Sequence, residues 1–470
     1  MRTSSTATVM WIVPSLTVLL LLEAGLLAKS IPARNWDGKD HSEILKDLVL
    51  NYKDHTRDPR ANTECSVNAS YTGQCNLDCQ CVDGKWKCCR LRKSVKNLSQ
   101  EERDRFTHAY LKAVKNEIYK PAMRAILWSH ATFFCKTITN KEQLVYSDAV
   151  GYHNLLLLAL ESLLRLIDCR VTLPYWDVAL EYEKSYSEQL PEGFGGNGVP
   201  PDYCVLDGPY RKGEFVLPKF VYNGVELPFT TCLKRNISAT STPFSYMMFT
   251  AMLTIPPENS EMFDLGFFLD FDRNFHASMG GTFEGMVPAM DPLFYMIHNF
   301  ANKMLVNFQM QGPQHLIGGG LWNNTVSVTT FQWFQNKDFL DATSFPNDVC
   351  IHWDAVADQE KLIQMGYYAG LETPRTHHIA LSYKEVRDMD MDSKAAANYV
   401  QFIKSLRATF LSAFTNDENG FHLTKDWYKL FMAGFGNRKF QVQPACSQYF
   451  DLDPEFEKTT MSPGVAELIP

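Results

Sequence analysis

Apolar positions along the chain fall into long helical runs separated by irregular stretches. Residues 122–138 and 148–167 are apolar-rich and long enough to predict two core helices. Ser99 stands three residues before Glu102, the spacing of a capping box, and predicts a helix start there. Asp291-Pro292 opens a further helix over 291–310, with proline at the first helical position. Tyr399, Ile403, Leu406, Phe410 and Ala413 mark one face of another amphipathic helix. Between these, residues 185–265 are rich in glycine, proline and aromatics and predict long irregular excursions. Residues 315–355 carry Gly318-Gly319-Gly320 and short β-like runs. The pattern is that of a mainly α protein with long loops and no internal repeat.

The first 30 residues differ from the rest. Arg2 precedes an apolar run from Met10 to Leu22, and Ala28-Lys29-Ser30 resembles a cleavage site, as in a secretory signal. The run is 13 residues, short of the roughly 20 that span a bilayer. The expectation is a secreted, extracellular protein with no membrane partner. Residues 31–60 are charged and predict a linker or a short helical arm. A formal charge of −8 over 470 residues gives no basic footprint, so no nucleic-acid partner is expected.

Twelve cysteines agree with export to an oxidising compartment. Cys65, Cys75, Cys79, Cys81, Cys88 and Cys89 crowd into residues 61–92, too small a unit to be stable by burial alone. Three disulfides are expected to hold this module, with pairing unreadable from sequence, and zinc is the rival explanation for Cys79-x-Cys81 and Cys88-Cys89. Cys135, Cys169, Cys204, Cys232, Cys350 and Cys446 lie outside it, enough for three more bridges. Sequons at Asn68, Asn97, Asn236 and Asn323 predict surface glycans in a secreted chain.

Four of the 12 histidines sit in telling strings: His130 mid-helix, His153 in Gly151-Tyr152-His153-Asn154, His276 before Gly280-Gly281, and His298 in the helix after Asp291-Pro292. Asp291-Pro292-x-Phe294-Tyr295-x-x-His298 resembles the second copper signature of the tyrosinase family. Thr172-Leu173-Pro174-Tyr175-Trp176-Asp177 resembles a string that follows the first copper helices there, and Glu161 falls where that family has a glutamate. The resemblance covers about residues 97–355. The cysteine-rich residues 61–92 are similar to a module that precedes the core in some invertebrate members. It implies a four-helix-bundle type-3 copper core, preceded by that module and followed by a mixed C-terminal region over 356–470. It implies two copper ions, each held by three histidines, and oxidation of phenols or catechols to quinones. Imidazole suits copper, and facing bundle helices can aim ligands inward.

Carried over residue by residue, the ligand set is incomplete. His130 and His153 match the first and third ligands of one site, but the second, nine residues before His153, is Leu144. His276 and His298 match the second and third ligands of the other site, but the first, four residues before His276, is Asp272. Asn154, Arg273 and Asn302 also depart from the arginine, asparagine and aspartate of the family pattern. The leading expectation is a tyrosinase-like protein without phenol oxidase activity, structural or associated with extracellular matrix proteins. The second is a metal-dependent oxidoreductase acting on a phenolic or tyrosine-containing substrate, with Asp272 as substitute ligand; a carboxylate shifts preference toward zinc or manganese. The third is a single-metal binder, with His130, His153, His276 and His298 converging on one zinc or copper ion. A plain ion pair of Asp272 with Arg273 or Arg124 is expected ahead of ligation. His352 is expected to pack, His377-His378 to be solvated, and Cys135 to form a disulfide.

Overall fold

In a computed structural model of the chain, the described residues are 36, 38–52, 58–139, 149–178, 184–237, 239, 271–309 and 331–354, less a few single positions, with the backbone of 414–417 and 420–423. The signal-like residues 1–30, Leu144, Asn323, His377-His378 and the helix expected around Tyr399 to Ala413 lie outside them.

The helices are α1 (His41–Val49), α2 (Gln100–Lys115), α3 (Lys120–Thr139), α4 (Ala149–Ile167), α5 (Arg273–Met279) and α6 (Pro292–Gln309). The expected start of α2 is realised in both directions: Ser99 accepts from the Glu102 amide, and the Glu102 carboxylate accepts from the Ser99 amide. Asp291 starts α6 by accepting from Leu293 N at 2.9 Å. Its carboxylate also takes two hydrogen bonds from the buried Arg235, at 2.7 and 3.0 Å.

Helix α4 is the centre of the packing and touches α1, α2, α3 and α6. Its residues Val150 to Arg165 are all buried, because apolar side chains surround it on every face. The stretch Val150–Ile167 is apolar enough to cross a membrane by length and composition, yet 94% of it is buried inside this fold. The five leucines among the six consecutive apolar residues Leu155 to Leu160 each contribute about 1.5–3 kcal/mol on burial. That gain lets the helix carry Glu161 and Arg165 into the interior.

Those charges are compensated from the cysteine-rich segment. Strands β1 (Ser70–Thr72), β2 (Leu77–Val82) and β3 (Lys85–Arg92) form an antiparallel sheet, extended by β6 (Ile351–Trp353), which pairs parallel to β3. Arg90 and Arg92, on one face of β3, reach the Glu161 carboxylate at 3.0 Å each. Burial alone would raise the Glu161 pKa, but Arg92 and Arg90 outweigh it and hold the carboxyl down at about 2. Leu173 N adds a hydrogen bond at 2.9 Å. Elsewhere β4 (Phe220–Tyr222) and β5 (Val225–Leu227) form a hairpin in the irregular excursion, and β7 (Phe414–Asp417) and β8 (Gly420–Leu423) form another.

The disulfides correct the expectation of a self-contained module with three bridges. Cys65–Cys81 and Cys79–Cys88 close within it, but Cys75 joins Cys169 and Cys89 joins Cys350. Two covalent ties therefore run from the small sheet to the segments that follow α4 and flank β6. Cys204–Cys232 closes a loop in the irregular region, and Cys135 is disulfide-bonded. No zinc-type thiolate cluster remains among these residues. Residues 31–60 are more than a tether, since α1 inside them buries Ile44, Leu45, Leu48 and Val49 against α3 and α4.

The string Thr172 to Asp177 straps these parts together. Thr172 Oγ1 donates to Leu91 O at 2.8 Å, Tyr175 N to Lys93 O at 2.9 Å, and Trp176 N to Met296 O at 3.1 Å. Asn299 of α6 donates to Leu173 O and Pro174 O, and accepts from Arg92 Nη1 and Trp353 Nε1. Strand β3, the end of α4 and α6 are thus fixed by one buried polar network.

Candidate metal centre

His130 comes from α3, His153 from α4, Asp272 and His276 from the α5 segment, and His298 from α6. The imidazoles of His130, His153 and His298 are buried, and those of His276 and the Asp272 carboxylate nearly so. Phe294, one turn before His298, stands among all four rings, with centroids 4.0 Å from His298, 5.0 Å from His130, 5.9 Å from His153 and 6.0 Å from His276. Sequence reasoning quoted Phe294 only as part of a string. Its ring is the apolar floor that separates and orients the imidazoles.

Three of the histidines are held alike. Nδ1 donates to a backbone carbonyl in each: His130 to Met286 O at 3.0 Å, His276 to Phe283 O at 2.8 Å, and His298 to Phe294 O at 2.8 Å. A carbonyl can only accept, so the proton is on Nδ1 and Nε2 is left as the ligand atom. Burial pushes the His130 imidazole down to about 3, which keeps it neutral, the form that binds metal. The turn carrying Phe283 depends on Gly280 and Gly281. Both have positive φ, and a Cβ at either would lie 2.8 or 2.5 Å from the carbonyls of Asn236 or Lys234.

Asp272 stands at the first residue before α5, where an aspartate ordinarily caps the helix. Here it is itself helical, with φ −63° and ψ −46°, and makes no capping hydrogen bond. Its Oδ1 lies 3.3 Å from His276 Nε2 and 3.0 Å from His298 Nε2. The carboxylate faces imidazoles and not Arg124, while the side chain of Arg273, the other expected partner, lies outside the described residues. Asp272 Oδ1 and His276 Nε2 are buried atoms without an aligned hydrogen bond. Burial would raise the Asp272 pKa, but His276 and His298 hold it well below the usual carboxylate range. Burial likewise opposes charge on His276, and Asp272 overrides it and raises that pKa.

Among the described residues, the ligand atoms of Asp272, His276 and His298 all lie within 4.8 Å of one another. His130 and His153 do not join that set. Their rings are 6.1 Å apart, and His153 stacks on His298 with centroids 4.2 Å apart. The expected convergence of four histidines on one ion is therefore not the arrangement present. Two unequal half-sites face each other instead, one with three donors including a carboxylate, the other with two imidazoles.

Asn154 and Asn302, read from sequence as separate departures, meet. Asn302 Nδ2 donates to Asn154 Oδ1, and Asn154 Nδ2 donates to Phe339 O at 2.7 Å. The two changes form one neutral amide pair between α4 and α6, next to His153 and one turn past His298. His352, expected only to pack, pairs its Nδ1 with Asp78 Oδ2 at 3.2 Å. The Asn97 sequon is half-buried, and its side chain donates to Asp354 Oδ2 at 2.7 Å. Asn68 and Asn236 are exposed.

Residues 150–311 match the common central domain of tyrosinase. A tyrosinase of Streptomyces antibioticus is 26% identical over 249 residues, 50% of this chain and 88% of that protein. Grixazone synthase of Streptomyces griseus is 31% identical over 123 residues, 26% of this chain and 40% of that protein. Among solved structures, a polyphenol oxidase of Thermothelomyces thermophila aligns over 56% of this chain and 88% of its own, with 14% identity and a TM-score of 0.39. A functional unit of octopus hemocyanin aligns over 59% and 73%, with 13% identity and a TM-score of 0.36.

Proposed function

We propose that the chain, whose residues 150–311 match the common central domain of tyrosinase, is a secreted member of that family whose dicopper site is degenerate, with phenol oxidation impaired or lost and a structural role in an extracellular matrix. The observation that carries the reading is the inequality of the half-sites. His276 and His298 keep the Nδ1–carbonyl bonds and inward Nε2 atoms that a metal needs, and Asp272 adds an anionic donor. His130 keeps the same preparation, but among the described residues no third donor joins it and His153. Leu144, at the position where the family places that donor, has no ligating atom.

The donor set fits copper in kind: imidazoles are good copper ligands, and the orphaned Asp272 and His276 atoms call for a cation. His276, His298 and Asp272 would hold one ion, and His130 and His153 would offer two ligands to another. Bound copper supplies the one-electron changes by which a phenol or catechol becomes a quinone. The residues themselves orient three of the imidazoles through backbone carbonyls, and Phe294 sets an apolar ring among all four. The folded frame survives without catalysis because Glu161, Asn299 and the Thr172 to Asp177 strap bind strands to helices, not to metal.

The second reading is a working phenol oxidase with Asp272 as a ligand. Its support is the approach of Asp272 to both imidazoles and the names of the Streptomyces relatives. Metal analysis of the secreted protein after dialysis against copper, with a catechol oxidation assay, separates the two. The proposal expects fewer than two coppers per chain and no quinone formation; two coppers with catechol turnover overturns it.

A further inference from the structure

We propose that Asp272, His276 and His298 form a self-contained site for a single divalent ion of the zinc or iron(II) class, one that holds copper, when copper enters, in its cupric state. This rests on the reading of unequal half-sites given above and names the metal chemistry of the better half. Three observations carry it. The donor atoms converge within 4.8 Å without help from His130 or His153. The Asp272 carboxylate makes no helix-cap hydrogen bond and turns its Oδ1 to the Nε2 atoms of His276 and His298, at 3.3 and 3.0 Å. The two imidazoles beside it are locked in the Nδ1-protonated form by carbonyls of Phe283 and Phe294.

With Nδ1 given to a carbonyl, each ring turns its Nε2 toward the carboxylate oxygen, at 3.3 Å for His276 and 3.0 Å for His298. A divalent ion entering here takes the place of any proton between these atoms and has three donors within reach. Two imidazoles and one carboxylate are the donor set of mononuclear non-haem iron sites, and the same donors serve zinc. The carboxylate also changes the charge balance. Two neutral imidazoles and one carboxylate leave a divalent ion with a net charge of about +1, where three imidazoles leave about +2. In so buried a site the lower residual charge favours the divalent ion. Cuprous copper is soft and gains least from a hard oxygen donor. A metal pair that must pass through the +1 state is thereby disfavoured from this half alone, independently of what stands at position 144.

The test uses the full secreted chain. Zinc is titrated against a competing chelator for the parent, Asp272→Asn and His130→Ala. The parent is expected to bind one zinc. Asp272→Asn, which keeps shape and loses charge, is expected to bind at least about 100-fold more weakly, the upper range for loss of even an outer-shell partner. His130→Ala is expected to stay within about threefold, since its ring lies outside the set. The second arm loads Cu²⁺ and follows the cupric paramagnetic signal during ascorbate titration. Asp272→His is expected to lose half its signal at an ascorbate concentration at least about tenfold lower than the parent. Equal zinc affinity in Asp272→Asn, or equal reducibility in Asp272→His, overturns the inference while leaving the degenerate dicopper reading standing. Two coppers per parent chain with catechol turnover overturns that reading instead.

Discussion

The two halves of the metal centre are built on equally firm helices and differ in what the helices deliver. On one side, α3 and α4 bring His130 and His153, both buried, with rings 6.1 Å apart and no third donor among the described residues. On the other, α5 and α6 bring two imidazoles and a carboxylate within reach of one ion. Both sides keep the second-layer contacts that orient an imidazole, such as the Met286, Phe283 and Phe294 carbonyls. The halves are thus alike in how their imidazoles are oriented and unlike in how many donors they gather. The carbonyls belong to turns and helices that the fold needs anyway, whereas a ligand side chain is needed only for the metal. One half has kept a complete but altered donor set, and the other a prepared but partial one.

The largest effect is expected from cutting the scaffold beneath the first half. Glu161 lies on α4 two turns beyond His153 and neutralises Arg90 and Arg92. Glu161→Gln leaves two guanidinium groups without a buried anion and should destabilise the protein by about 3–5 kcal/mol, read by denaturant unfolding. The same carboxylate sets an acid limb. Its folded pKa is about 2 against an unfolded value of 4.5, so its stabilisation is complete above pH 4.5 and is lost as pH falls toward 2. Glu161→Gln should flatten stability over that window; an unchanged acid limb would show that other carboxylates govern it.

The next effect would erase the difference between the halves. Leu144→His with Asp272→His supplies three imidazoles to each side. Copper content should rise toward two per chain, with second-ion affinity gaining about 100-fold. Asp272→His alone should add no second ion. If the double variant holds no more copper than the parent, position 144 does not face His130 and His153.

A smaller effect sits at the join. Asn302 and Asn154 link α6 to α4 as a neutral amide pair. Asn302→Asp places a buried carboxylate against the Asn154 carbonyl oxygen and should cost about 1–3 kcal/mol, seen as a lower midpoint of thermal unfolding. Adding Asn154→Arg should recover part of that loss if the two positions act as a pair. The smallest effect concerns the surface: Asn97→Gln should lose the contact to Asp354 and cost about 1 kcal/mol, with no change in glycan mass.

Local signals in the chain were enough for α2, α3, α4 and α6, because helix periodicity, the Ser99–Glu102 box and Asp291-Pro292 act over a few residues. The family strings pointed to Asp272 and His276, whose i, i+4 spacing puts both on one helix face, and these two do meet. A buried glutamate in an apolar helix announced that partners must exist, and Arg90 and Arg92 alternate on one face of a strand; that they meet 70 residues apart could not be read. Nor could the bridges Cys75–Cys169 and Cys89–Cys350, because pairing depends on which segments the folded chain brings within about 6 Å.

The sequence by itself determined α2, α3, α4 and α6, the resemblance to tyrosinases and the absence of two expected histidines, all set by residue identity and short-range spacing. Tertiary structure decided what those absences amount to. It placed Asp272 beside two imidazoles, joined Asn154 to Asn302, and bound the cysteine-rich strand to the core through Glu161. Each depends on which buried polar atoms the packing forces together, and burial makes such meetings obligatory because an unpartnered charge or amide costs more than the contact that satisfies it.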